Sequence, residues 1–216
     1  MRDDAYCVNL AIAGPMLWSQ NVFQLAHELT HVLCAVSPDA PCLLYEHKNV
    51  WFEEALCHAA SLHALRSFRA KALAALYPHC PNAMRDYADD HVDADWQLVS
   101  AADEVHGRNC DSSDERLRVI SAREWYRKHR RQLRDWRAAG ESEQRRLQCA
   151  VSVWLLARIG WPALAECCSA LNRHAALCGE RQFAELSFRN YLQRWKRNCR
   201  TTQQKATVET IRQAFR

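Results

Sequence analysis

The stretch Gln24-Leu25-Ala26-His27-Glu28-Leu29-Thr30-His31-Val32-Leu33 decides how the rest of the chain is read. On a helix, positions i and i+4 lie one above the other, so His27 and His31 present two imidazoles to one point and can grip a single metal ion. Glu28 is rotated about a quarter turn from them, placed to reach a water beside the metal rather than the metal itself. Val22, Leu25, Leu29, Val32 and Leu33 recur at i, i+3, i+7, i+10 and i+11, which predicts an apolar stripe set into the core on the side away from the polar residues. A buried helix aiming three polar groups at one interior spot needs something there to compensate them. The bland alternative is a pair of core histidines satisfied by hydrogen bonds.

A hydrolytic zinc site takes three protein ligands and keeps the fourth position open for water. The metzincin arrangement is excluded, because Cys34 and Ser37 stand where it needs glycine and histidine. A better source of the third ligand is Asn49-Val50-Trp51-Phe52-Glu53-Glu54-Ala55-Leu56-Cys57-His58-Ala59-Ala60. With the H-E-x-x-H stretch, it resembles the paired motifs of the gluzincins, the thermolysin-like and aminopeptidase-like zinc peptidases. In that family an aromatic-led W-x-x-E opens a helix and its glutamate completes the metal site. The resemblance spans residues 5 to 65 and makes Glu54 the third ligand, with Trp51 as the leading aromatic, Glu53 in place of the usual asparagine and Ala55 in place of glycine. Twenty-two residues lie between His31 and Glu54, longer than the usual spacing but within reach of a turn between antiparallel helices.

The same resemblance implies groups around the ligands. His58, one turn after Glu54, occupies the place where an acidic group orients a ligating histidine; Glu53 is the other candidate for supporting the ligands, or it caps its helix. Tyr87 and His91 are candidates for stabilising the oxyanion, with Tyr126 competing. His47 is a rival third ligand without a supporting motif. The implied activity is zinc-dependent hydrolysis of a peptide or other amide bond, with Glu28 as general base and one Zn2+ as cofactor. Two alternatives stand beside it. Glu54-Ala55-x-x-x-Ala59-Ala60 is similar to regulatory peptidases of the ImmA/IrrE family, which act on protein regulators. A catalytically silent zinc-binding interaction protein is the other, although such a site has no need of Glu28.

Composition frames these motifs. The chain has 216 residues, 49% of them hydrophobic, a net charge of +4, five glycines and six prolines, which favours one helical, well-buried domain. That charge demands no polyanionic partner. Eleven cysteines, odd in number and scattered, with no apolar run near eighteen residues and no cationic leader, point to a reduced, soluble, cytoplasmic protein without a membrane span.

The period-two alternation from Ala5 to Ala13 predicts a strand, and with it a small N-terminal sheet bordering the site. Residues 86 to 115 are acidic without a complete calcium loop. Arg116 to Arg146 is basic, but Trp125, His129, Leu133 and Trp136 share one helical face, predicting a core-facing helix with an arginine-rich solvent face rather than a nucleic-acid groove. Further helices are expected over Gln148 to Ile159, from Pro162 toward Leu171, around Phe183 to Trp195, and at Val208 to Phe215. The expected architecture is mainly α (α+β), one domain over 1–216, with the motifs in 1–76 and a helical remainder in 77–216.

Overall fold

The computed structural model describes residues 9–10, 17–34, 47–67, 80–92, 96–99, 118–173 and 183–216. They form a mainly α fold. In chain order the helices are α1 (Trp18–Cys34), α2 (Val50–Ser67), α3 (Cys80–Asp90), α4 (Ala122–Arg134), α5 (Glu141–Arg158), α6 (Trp161–Cys168), α7 (Phe188–Asn198) and α8 (Thr202–Ala214). Two short strands, β1 (Trp96–Val99) and β2 (Arg118–Ser121), pair in parallel with Trp96 opposite Arg118.

The expected N-terminal sheet is not seen. Of its residues only Asn9 and Leu10 are described, and they lie outside regular structure; the rest falls outside the described residues. Alternation sorts side chains onto two sides but supplies no partner for the backbone, and the described ladder is satisfied by β1 and β2 alone.

Helix α2 is the centre of the molecule. Val50, Trp51, Phe52, Ala55, Leu56, Ala59, Leu62 and Leu65 are all buried, and so are Glu53, His58 and Ser61. A helix enclosed on every side must satisfy its polar groups internally. Ser61 does so by donating to the Phe23 carbonyl oxygen at 2.8 Å, which ties α2 to α1. On the opposite side, Ser152 of α5 donates to the Ala55 carbonyl oxygen at 2.8 Å. Trp51 and Phe52 anchor the start of α2 in an aromatic cluster, their rings 4.7 and 5.2 Å from Phe188 of α7. The turn before α2 is held to the same region, where Asn49 donates to the Leu186 carbonyl oxygen at 2.9 Å.

Helix α1 is turned differently from the expected stripe. Leu25, Leu29 and Leu33 are 44%, 46% and 49% exposed among the described residues, while Phe23, Thr30, His31 and Cys34 are buried. The polar face lies inward because α2 supplies partners for its histidines. Helix α4 follows its expected pattern: Trp125, His129 and Leu133 are buried, Trp136 is buried in the 3-10 turn that follows, and Arg127, Arg130, Arg134 and Arg137 are exposed. Gly160, with φ of 83°, makes the left-handed corner between α5 and α6, and Pro162 sits in the first turn of α6. Helix α8 opens with a reciprocal cap between Thr201 and Gln204.

Candidate metal centre

Helices α1 and α2 bring the two sequence motifs face to face. Nε2 of His27 lies 3.1 Å from Oε2 of Glu54, and Nε2 of His31 lies 3.4 Å from Oε1 of the same carboxylate. The two imidazole rings are 5.0 Å apart, one turn separating them along α1. One carboxylate therefore meets both histidines.

Glu53, the preceding residue, addresses the same histidine from behind. Its Oε1 accepts from Nδ1 of His31 at 3.0 Å. Successive helical residues point about 100° apart, so neighbouring glutamates reach the two edges of one ring. Glu53 is 1% exposed, and an ionised carboxylate there needs several partners. Asn172 donates to its Oε2 at 2.8 Å, Tyr191 donates in turn to Oδ1 of Asn172 at 3.0 Å, and Nε2 of His47 is 3.5 Å from Oε2. His47 thus sits on the far side of Glu53, stacked on Tyr191 with centroids 5.4 Å apart, away from the converging nitrogens.

Electrostatics favour ionised carboxylates here. Burial would raise the Glu54 carboxyl, but hydrogen bonds from His27 and His31 outweigh it and hold the pKa at about 2. Glu53 is lowered for the same reason, burial being overcome by His31 and His47. Burial pulls His31 down, while Cys57 and the two carboxylates push it up and prevail. Burial drives the Cys57 thiol upward.

Both ring nitrogens of His31 face carboxylate oxygens, which only accept hydrogen bonds. With both carboxylates ionised, a positive charge at this junction balances them, either as protons on imidazole or as a metal ion. The donor types suit zinc, and atoms bound tetrahedrally at about 2.1 Å lie roughly 3.4 Å from one another, close to the separations seen between Glu54 and the two histidines. His27, His31 and Cys57 form a group that could hold a metal ion, their donor atoms all within 4.8 Å of one another. Cys57 follows Glu54 by three residues and so shares its helical face. That spacing was visible in the sequence, where Cys57 reads as a small core hydrophobe.

Beside the junction lies a cavity of about 280 Å3, with His27, Glu28, His58, Tyr87, His91 and Arg145 among its lining. Glu28 has no hydrogen-bond or ion-pair partner among the described residues. Tyr87 and His91, the oxyanion candidates, are brought to this wall, their rings stacked at 4.1 Å. Tyr126 is not; it packs with Trp51, Phe188 and Phe215. His58 lines the cavity with Nε2 3.4 Å from the His91 carbonyl oxygen, edge-on to Phe23. Burial, helped by the charge of His27, lowers its pKa to about 4, leaving a neutral ring. The orienting contact to a histidine comes from Glu53 instead. Asn172, Tyr191 and Arg145 carried no motif, and no local spacing could have singled them out.

Comparison of the chain with protein-family models, with curated proteins and with solved structures finds no match. No single helix among the described residues is long and apolar enough to cross a membrane.

Proposed function

We propose that this protein is a zinc-dependent hydrolase of peptide or other amide bonds, of the gluzincin type, with His27, His31 and Glu54 as metal ligands and Glu28 as general base. The observation that carries the reading is the single Glu54 carboxylate meeting Nε2 of both histidines, with Glu28 on the wall of the adjoining cavity.

Zinc held at this junction by His27, His31 and Glu54 would supply Lewis-acid chemistry, lowering the pKa of a bound water. The chain does the rest. Glu53 keeps the proton of His31 on Nδ1, so that Nε2 offers its lone pair to the site. Glu28 takes the proton of the attacking water and returns it to the departing amine. Burial raises the Tyr87 pKa, so its phenol is protonated at neutral pH and available as a donor to the developing oxyanion. A peptide or protein substrate in a reducing, cytoplasmic setting suits the described cysteines, which pack as buried free thiols.

Elemental analysis of purified protein, paired with cleavage of a broad peptide library, tests the reading. Near-stoichiometric zinc and chelator-sensitive cleavage are expected. Zinc without any cleavage would leave a silent binding protein, and neither would end the proposal.

A further inference from the structure

We propose that Arg145 anchors a substrate carboxylate, so that the cavity accepts a free C-terminal end and releases a single C-terminal residue. This rests on the zinc-hydrolase reading and adds the substrate class to it.

Helix α5 forms one wall of the cavity through Arg145 and Gln148. The wall is fixed in place: Gln148 donates to the Glu54 carbonyl oxygen at 3.1 Å, and the Cys149 thiol donates to the His91 carbonyl oxygen at 3.3 Å. Arg145 therefore stands on a rigid element registered against both the candidate metal ligand and the opposite wall. Its charge is felt by His58, Tyr87 and His91 across the cavity. No hydrogen bond or ion pair occupies its guanidinium among the described residues.

Arginine stays charged at every working pH and presents a planar fork that matches a carboxylate. Among the described residues of the lining it is the one permanent cation, and Glu28 is the one carboxylate. This polarity selects which end of a peptide enters. An α-ammonium group would need a free carboxylate to hold it, and Glu28 is committed to moving protons. An α-carboxylate is repelled by Glu28 and drawn to Arg145, which turns the amide toward the junction of His27, His31 and Glu54. At about 280 Å3 the cavity lies at the small end for ligand pockets, with room for one terminal residue.

The test uses the zinc-loaded full chain and begins without turnover. Calorimetric titration with N-acetylphenylalanine and with its amide should show the acid binding about tenfold or more tightly. Arg145→Gln should abolish that preference with zinc content and thermal stability unchanged, and Arg145→Lys should restore part of it. In the second arm, peptides with a free C-terminus should be cleaved in preference to amidated ones, and Arg145→Gln should erase the preference mainly through KM. If the preference for the acid survives in Arg145→Gln, the carboxylate is held elsewhere and the proposal falls. It falls equally if doubly blocked peptides are cleaved internally at a rate Arg145→Gln does not change, although the hydrolase reading then stands. A carboxylate preference that depends on Arg145 but comes with no cleavage of any substrate overturns the hydrolase reading and keeps the binding site.

Discussion

Glu53 accepts a hydrogen bond from Nδ1 of His31 at 3.0 Å while remaining 1% exposed, so a fully buried carboxylate stands directly behind a candidate ligand. Such a partner fixes the tautomer and the rotation of the ring. Glu53→Gln should therefore fold but bind zinc about 10- to 100-fold more weakly, as read by competition with a chelator of known affinity. Unchanged affinity would remove Glu53 from the site's support.

Glu54 and Cys57 compete for the third ligand position. If Glu54 holds it, Glu54→Ala loses most of the zinc and Cys57→Ala keeps it. Absorption after cobalt substitution gives an independent check, because thiolate ligation adds an intense charge-transfer band in the near ultraviolet. Retention of zinc by Glu54→Ala together with that band would reassign the ligand to Cys57.

Glu28 makes no hydrogen bond or ion pair with a ligand or with another charge among the described residues. We expect Glu28→Gln to retain zinc and stability yet lose turnover by several orders of magnitude, since an amide cannot accept the proton. A variant that still turns over would end the general-base assignment.

His58 gives a pH dependence whose sign can be worked out. Its folded pKa is about 4, against an ordinary value of about 6.5 in the unfolded chain. Above pH 6.5 the ring is neutral in both states and costs nothing. As pH falls toward 4 the unfolded chain takes up the proton and the folded one does not, so stability drops through that window. The full effect is about 3 kcal/mol. Denaturant titrations at pH 7 and pH 4.5 should show a smaller loss for His58→Gln than for the natural protein; equal losses would refute this account.

Trp136 is 7% exposed, beside a helix whose arginines face solvent. Trp136→Ala should cost about 3–5 kcal/mol of stability by denaturant melting. Replacing Arg127 and Arg134 by glutamine should change it by only about half a kcal/mol. Fluorescence anisotropy with labelled DNA and RNA provides the control: salt-sensitive submicromolar binding lost in the arginine variants would give that face a nucleic-acid role.

What was legible in the sequence was local. The spacing of His27 and His31 and the Trp51-to-Glu54 pattern each define one helical face, and periodicity alone places such residues. The same reasoning misjudged α1, because leucine recurrence marks an apolar side without saying which side the neighbouring helix covers. Leu25, Leu29 and Leu33 are exposed among the described residues because α2 offers carboxylates to the histidines instead. Asn172 lies 119 positions from the glutamate it bonds, and no period connects residues so far apart. Ala5 to Ala13 alternates as a strand does, but pairing depends on a partner that its own letters cannot name.

The bond from Asn172 to Glu53, backed by Tyr191, also sets an order of events during synthesis. Ribosomes deliver the N-terminal portion first. A nascent chain that had emerged only through α3 would hold both histidines and both glutamates, yet Glu53 would lack the clamp that makes its charge tolerable in the interior. Assembly of the candidate site would thus wait until α7 has been made and docked, because Tyr191 lies on that helix.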